Sequence, residues 1–294
     1  MQKNNLKHFI HLHFLVFIAG FTAILGELIS NSSVAIVWHR MLIALFLTFI
    51  FIIYHKKNLY IRINDFLKYL LLGLIIALHW ITFFEAIEQS NISVTLAMFS
   101  TAAFFTSFLE PVFFKRKVIY YELILGLIVV VGVFLIFNAE FIYINGIILG
   151  IISALFASLF SVLNGILIKK ESAVIISFYE FLSGVIFITI YLILTNNLNS
   201  LSIEEYFSLN YLYIFILGSI CTAYAFIASV YLLKFITPYS VVLTYNLEPI
   251  YGIILALLFF GDSEKMSFQF YIGLFLILFS VLINMYVKKT IKET

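Results

Sequence analysis

The chain has little charge and almost no cysteine. Charged residues make up 11% of its 294 residues and hydrophobic residues 64%, and its mean hydropathy is +1.13. A soluble domain of this size has no reason to be so apolar, so the composition excludes that class. The one cysteine, Cys221, excludes an intramolecular disulfide and a cysteine metal cluster. His8, His11 and His13 have no spacing of a tight metal site, so we expect neither a metal nor another cofactor.

Motifs of membrane enzymes are also missing. The sequence has no HExxH, GxSxG, GxGD or DxxD motif. An integral membrane enzyme is therefore the least favoured class. The first apolar run follows Lys7 and has no small-residue cleavage site after a short hydrophobic core. We expect it to stay in the protein as a membrane span rather than to be removed as a signal peptide.

Ten apolar stretches fill most of the chain. Each has about 20 residues or more, which is enough to cross a hydrocarbon layer about 30 Å thick as an α-helix. The sequence therefore predicts an all-α integral membrane protein with ten transmembrane helices. The predicted spans are 9–29, 33–54, 66–87, 91–114, 118–137, 143–168, 173–195, 209–233, 238–260 and 267–287.

Basic side chains predict the orientation of these spans. Of the 17 Lys and Arg residues, 15 lie in the two tails and in alternate gaps between spans, Lys265 lies in an opposite gap, and Arg40 lies within a span. Short loops rich in Lys and Arg stay on the cytoplasmic side. We therefore expect a multi-pass plasma membrane protein with cytoplasmic N- and C-termini. Such basic loops also attract anionic lipid headgroups, so the pattern indicates a lipid bilayer and no nucleic acid as partner.

The two halves of the sequence are repeats. A shift of 147 residues superposes spans three to five on spans eight to ten, and a shift of 140 places Arg40 on Glu180. The predicted repeats cover 9–137 and 143–287, with five spans each. Because five is odd, the second repeat enters the membrane inverted, as in transporters that move about a central site. The matched pairs include Ser93 with Ser240, Leu96 with Leu243, Phe113 with Phe260 and Gly126 with Gly273.

Four short tracts resemble the EamA repeats of the drug/metabolite transporter superfamily. They are LHWITFF at 78–84, SNISVTLA at 90–97, NLEPIYG at 246–252 and VWHR at 37–40. The resemblance covers about residues 10–288. It implies a bundle around one central cavity, peripheral fifth and tenth spans, a bacterial inner membrane location, and export of small organic metabolites such as amino acids. Span four has Ala102 where span nine has Pro249, so no matching kink is predicted in span four.

Polar residues deep in the spans are the candidate substrate-binding residues, because a charge in hydrocarbon is costly unless it faces a cavity or a partner. Glu248 lies near the middle of span nine, directly before Pro249, whose missing N–H frees backbone carbonyls. This niche can hold an amino group, a cation or a proton, or Glu248 can hydrogen-bond between helices and hold the kink. Tyr245 and Asn246 lie within a turn of it, and either line the cavity or join helices.

Aromatic and histidine side chains extend this candidate site. His79 and Trp80 lie in the middle of span three, where they either form the floor of an aromatic cavity or make interhelical contacts. Tyr224 lies at a similar depth in span eight and is expected to face them from the other repeat.

Three further charges are candidates for gating or structural roles. Arg40 and Glu180 occupy equivalent positions in the repeats and lie about 10 Å below opposite membrane surfaces, so a direct pair is not expected. Glu27 lies near the outer end of span one, across a tight turn from Arg40. We therefore predict an outer contact between Glu27 and Arg40.

Together these features predict a secondary transporter that moves a small organic metabolite by alternating access. Protons are a candidate coupling ion, and a monomer or a homodimer is expected. The main alternative is a flippase for a lipid or a lipid-linked intermediate, which requires a lateral opening between helices rather than an enclosed cavity.

Overall fold

Large hydrophobic side chains cover the outside of the bundle as well as its interior. Phe46, Phe134 and Leu258 are 63%, 63% and 76% exposed. In water such a surface is an aggregation liability, whereas in lipid it is the expected outer face of a membrane protein. The computed structural model describes residues 3–115, 120–202 and 208–293. It is 85% helical, and no strand occurs in these ranges.

Eight helical segments are long and apolar enough to cross a membrane, and two shorter apolar helices accompany them. These findings confirm an all-helical membrane protein. Thirteen α-helices occur in the described ranges: α1 (Lys3–Leu28), α2 (Ser33–Tyr54), α3 (Ile63–Glu88), α4 (Ile92–Phe99), α5 (Ala102–Phe114), α6 (Tyr120–Ala139), α7 (Ile144–Leu167), α8 (Ala173–Leu194), α9 (Leu209–Gly218), α10 (Ala225–Leu232), α11 (Pro238–Tyr245), α12 (Glu248–Phe260) and α13 (Phe268–Glu293).

Short π-helical and 3-10 segments lie between some of the α-helices. A π-helical segment, Ser219–Tyr224, joins α9 to α10, and one-turn 3-10 helices lie at Phe141–Tyr143, Leu198–Leu201 and Gly261–Glu264. Two basic residues used to orient the spans, Arg116 and Lys117, lie outside the described residues.

Small residues let α7 pack closely in the bundle. A methyl group on Gly146 would lie 2.9 Å from the carbonyl oxygen of Ala86, and one on Gly150 would lie 2.8 Å from the Cβ of Met98. Two turns further, the Ser158 hydroxyl donates a 2.7 Å hydrogen bond to the carbonyl of Ala102. Since a side chain larger than glycine would push these backbones apart, this stripe fixes α7 against α3, α4 and α5.

α6 and α13 form a peripheral pair. Each packs mainly on the other, and their closest approach is at Gly132 and Gly273, where a methyl group on either would lie 2.6 to 2.7 Å from the other's carbonyl oxygen. This is the arrangement that the resemblance implies for the fifth and tenth spans. It leaves the remaining helices to enclose the centre of the bundle.

Spans four and nine are both interrupted halfway, which corrects the expectation of a kink in span nine alone. α4 ends at Phe99 and α5 begins at Ala102, just as α11 ends at Tyr245 and α12 begins at Glu248. Span four has no proline at its break. Its turn is held instead by hydroxyls, since Ser100 donates to the carbonyl of Leu96 and Thr101 to that of Met98. Such bonds compete with helical backbone bonds and bend helices.

Two buried carboxylates each hold the end of one broken span to the start of the other. Glu264, in the turn after α12, accepts hydrogen bonds from the backbone N–H groups of Ile92 and Ser93 at 3.1 and 2.9 Å. Glu110, in α5, accepts one from the N–H of Tyr239 at 2.7 Å. Ile92 and Tyr239 are equivalent positions of the repeats. Each repeat therefore places a carboxylate at the N-terminus of a broken helix in the other, where the helix dipole favours negative charge.

Candidate functional site

A cavity of about 140 Å³ lies between the two repeats. Apolar cavities of about 150 Å³ hold benzene-sized molecules, so this volume suits a small ligand. Aromatic rings form much of its wall: Trp80, Phe83, Phe99, Phe160 and Phe226. Polar side chains also line it: Thr22, Arg40, His79, Ser161, Asn164, Ser229, Tyr245, Asn246 and Glu248.

Glu248 occupies the first position of α12, where span nine is broken. The residue is buried from the outer surface and lines the cavity. Among the described residues, none makes a hydrogen bond to its carboxyl group. The structure therefore places this carboxyl where a ligand can reach it and leaves its hydrogen-bonding capacity available.

Tyr245 and Asn246 connect the break to neighbouring helices as well as lining the cavity. The Tyr245 hydroxyl lies 2.6 Å from the Ser229 hydroxyl of α10. The Asn246 amide nitrogen donates a 2.7 Å hydrogen bond to the carbonyl of Ser100, at the break of span four. Both side chains therefore join helices. The side-chain oxygen of Asn246 takes no part in the bond to Ser100.

His79 and Trp80 both reach the cavity, and each also has a partner. Nδ1 of His79 lies 2.8 Å from the hydroxyl of Ser153. The same hydroxyl lies 3.0 Å from the backbone carbonyl oxygen of His79 and donates to it. The Trp80 ring packs edge to face on Phe226, with ring centres 5.7 Å apart. These contacts fix the rings, and a fixed aromatic wall costs a ligand little ordering.

The predicted contact between Glu27 and Arg40 is wrong. Arg40 is almost fully buried, and its Nε donates a 2.9 Å hydrogen bond to the hydroxyl of Thr222. Its guanidinium carbon lies 4.0 Å from the centre of the Trp80 ring. Among the described residues, no ion pair joins it to Glu27, which is exposed. The cation turns inward because the Trp80 face and the Thr222 hydroxyl compensate its charge within the bundle.

Tyr224 does not line the cavity, which corrects the expectation that it faces His79. It is 43% exposed, and its hydroxyl lies 2.9 Å from Nε2 of His11. The repeat shift of 147 relates His79 to Phe226, and Phe226 does line the cavity. Two residues along a helix differ by about 200° in direction. Tyr224 therefore points to the opposite side of its helix.

Glu180 lies behind the cavity wall rather than on it. Its side chain is fully buried in α8 and interacts with Asn164, which is one of the residues of the cavity wall. Sequence reasoning missed Asn164, Ser161 and Ser229. Asparagine and serine occur throughout membrane helices as interhelical hydrogen-bonders, and their direction is visible only once the helices are packed.

An all-helical bundle with a lipid-compatible surface and a central cavity of mixed polarity defines a membrane transporter. The EamA-like transporter family model matches residues 9–138 and 144–286. The chain therefore belongs to the EamA-like transporter family. Membership in a transporter family favours transport over catalysis and implies a small-molecule substrate and a lipid bilayer as partners.

Comparison with solved structures agrees with this assignment at the level of the fold. One crystal structure, described only as that of a protein, is similar over 92% of this chain and 95% of its own, with a TM-score of 0.66 and 13% identical residues. At that identity the likeness shows the fold alone. No curated protein matches the chain.

Proposed function

We propose that this protein is a secondary transporter that exports an amino acid or a related zwitterion from the cytoplasm. The observation that carries the proposal is the presence of a basic and an acidic side chain, Arg40 and Glu248, on the wall of one small cavity. Nη1 of Arg40 has no hydrogen-bond partner among the described residues, and neither has the Glu248 carboxyl. A zwitterion supplies a carboxylate for the first and an ammonium group for the second.

The aromatic wall supports the same class of ligand. The rings around the charges are apolar, so the site pairs few polar groups with a larger hydrophobic surface, as ligand sites commonly do. His79, Trp80, Tyr245 and Asn246 then orient the ligand, with Glu248 as the ammonium-binding group and Arg40 as the carboxylate-binding group. Arg40 therefore has a binding role in this proposal instead of the gating role expected from its sequence position.

The transport cycle in this proposal uses ten spans in two inverted repeats, 9–137 and 143–287. Both termini face the cytoplasm of a bacterium, and the protein lies in its plasma membrane. The carboxylate contacts of Glu264 and Glu110 close opposite ends of the cavity, so release of one and then the other gives alternating access. One chain lines the cavity, so a monomer is sufficient for transport.

Labelled amino acids in proteoliposomes test this function. Purified protein is reconstituted, loaded with unlabelled amino acids, and given a panel of labelled amino acids at equal pH and with a pH gradient. We expect exchange of at least one member of the panel at equal pH. Because binding requires both charges, Glu248→Gln and Arg40→Met should each abolish most of this exchange.

A lipid-scrambling assay on the same vesicles separates the flippase alternative. We expect no movement of a fluorescent phospholipid between leaflets above that of protein-free vesicles, because the cavity is too small for two acyl chains. Exchange of no amino acid together with rapid lipid scrambling would reject the proposal in favour of a flippase.

A further inference from the structure

A second polar cluster, made of Glu180, Asn164 and Ser177, lies behind the cavity. Both carboxyl oxygens of Glu180 are buried without a partner in the described structure, and so are both polar atoms of the Asn164 carboxamide and the hydroxyl of Ser177. All three side chains are fully buried. Ser177 precedes Glu180 by three residues on α8, so the two share one helix face.

Hydrogen-bond accounting shows what this cluster lacks. A carboxylate has only acceptors, and an amide has two donors and one acceptor oxygen. The Asn164 nitrogen can donate to one Glu180 oxygen, but the other Glu180 oxygen and the Asn164 oxygen then face each other as two acceptors. One proton on Glu180 resolves this, because the carboxylic acid donates to the amide oxygen while the amide donates to the acid carbonyl. A single proton thus satisfies all four atoms.

We propose that Glu180 is the proton-carrying residue of this transporter and that Asn164 links its protonation to the ligand in the cavity. Asn164 interacts with Glu180 and belongs, with Ser161, to the cavity wall. A ligand that takes a hydrogen bond from Asn164 removes Asn164 from the protonated Glu180, which loses both bonds of the pair and releases its proton. A proton that binds Glu180 restores the pair and frees the ligand. This inference rests on the proposed function and adds its energy source, a proton moving opposite to the substrate.

The charged and titratable groups near Glu180 do not neutralise its carboxyl. On α2, Arg40 is engaged with Thr222 and Trp80. On α3, His79 is engaged with Ser153, and Tyr69 is the titratable group there that interacts electrostatically with Glu180. No ion pair joins Glu180 to a basic residue in the described ranges. A buried carboxylate without a cationic partner is costly in a membrane protein, so a proton is the available neutralising partner.

Accumulation driven by a pH gradient tests this inference. Proteoliposomes with an acidic interior are given external labelled leucine, or whichever labelled amino acid the panel identifies. With one proton exchanged per zwitterion, one pH unit should drive about tenfold accumulation by the wild-type protein. Glu180→Gln keeps the size of the side chain and supplies a permanent amide donor to Asn164. It should still exchange the amino acid at equal pH, but its accumulation ratio should fall to about one.

Glu248→Gln is the matched control, because it makes the same substitution at another buried carboxyl, on α12. It should lose exchange and accumulation together, as expected of a substrate-binding group. Retained gradient-driven accumulation in Glu180→Gln would overturn the inference, and so would wild-type accumulation driven by a sodium gradient and not by protons. Absence of any exchange by the wild type would instead reject the proposed function.

An infrared measurement keeps the inference testable if Glu180→Gln does not fold. The difference spectrum of the purified protein between acidic and alkaline pH should contain the C=O stretch of a buried protonated carboxyl. Glu180→Asp should shift this band, because the shorter side chain changes the bond to Asn164, whereas Glu248→Asp should leave it in place. A band that does not respond to Glu180→Asp would contradict the assignment.

Discussion

The breaks in spans four and nine have the same position and different chemistry. At the break of span four, Thr101 donates its hydroxyl to the carbonyl of Met98 within the same helix. At the break of span nine, the equivalent residue is Glu248, whose carboxyl faces the cavity, followed by Pro249. The repeats therefore share the geometry of a broken, crossing helix, while only the second repeat supplies a charge there.

Arg40 and Glu180 extend the comparison. They occupy equivalent positions of α2 and α8, yet Arg40 lines the cavity and Glu180 lies behind it with Asn164. The two repeats thus share a backbone frame, while unequal substitution placed different side chains at equivalent positions. In our proposals, the same backbone position binds a ligand in one repeat and a proton in the other.

The largest effect on ligand affinity should come from substituting the residue at the break of span nine. Glu248→Gln removes the charge that pairs with an ammonium group, and a hydrogen bond to a charged group contributes about 1.5 to 3 kcal/mol. We therefore expect amino acid affinity to fall roughly 10- to 100-fold in an equilibrium binding assay. Thr101→Val, the matched change in span four, should alter affinity by less than about threefold. Equal losses in both variants would mean that the breaks are chemically equivalent after all.

A smaller loss is expected from Arg40→Lys. Lysine keeps the positive charge but loses the planar fork that binds a carboxylate with two parallel bonds and stacks on Trp80. Affinity should fall roughly tenfold, or by about 1.4 kcal/mol. The loss should be confined to ligands with a carboxylate, so a decarboxylated amine measured alongside serves as the control. If the amine weakens as much as the amino acid, Arg40 acts on the fold of the site rather than on the ligand.

Glu264→Gln and Glu110→Gln should shift access to the cavity in opposite directions. Each replaces a charged acceptor at a helix N-terminus by a neutral one, which weakens the contact by about 1 kcal/mol and favours opening about fivefold. The measurement is the labelling rate of a cysteine placed at Ser161, in a Cys221→Ala background, by a membrane-impermeant thiol reagent. Labelling from the periplasmic side should rise in Glu264→Gln and from the cytoplasmic side in Glu110→Gln. A rise on the same side in both would refute the paired roles of the two carboxylates.

Pro249→Ala should have the smallest effect. Span four is broken at the equivalent position with Ala102 and no proline, so the break of span nine should also persist without one. We expect transport to change by less than about threefold, well below the effect of Glu248→Gln. Loss of transport as large as that of Glu248→Gln would show that the proline, rather than the crossing contact between Asn246 and Ser100, holds this break open.

Much of the fold was predictable because lipid restricts it to helices of a minimum length. The depth of a residue also follows from its sequence position, which is why Glu248, Asn246, Tyr245, His79 and Trp80 were selected and why all five reach the cavity. Their binding roles stay predictions. Direction around the helix axis was less predictable, and this accounts for the misplaced Tyr224.

The remaining errors have a common physical cause. Arg40 has a long side chain that can extend toward either a surface or the interior, and its choice depends on Trp80 and Thr222, which are distant in sequence. The break at Ser100 depends on hydroxyl contacts, and no proline in the sequence indicates it. Pairing of Asn164 with Glu180 likewise requires two helices to be packed first. Tertiary contacts decided each of these features.

Recognition of both ends of a zwitterion is most directly tested with three ligands of one shape. Labelled leucine, its decarboxylated amine and its deaminated acid are measured by equilibrium binding to the purified protein, provided that leucine is among the amino acids exchanged. The account predicts that leucine binds at least about tenfold more tightly than either analogue, that Glu248→Gln abolishes its advantage over the acid, and that Arg40→Met abolishes its advantage over the amine. Equal binding of all three ligands to the wild-type protein would contradict it.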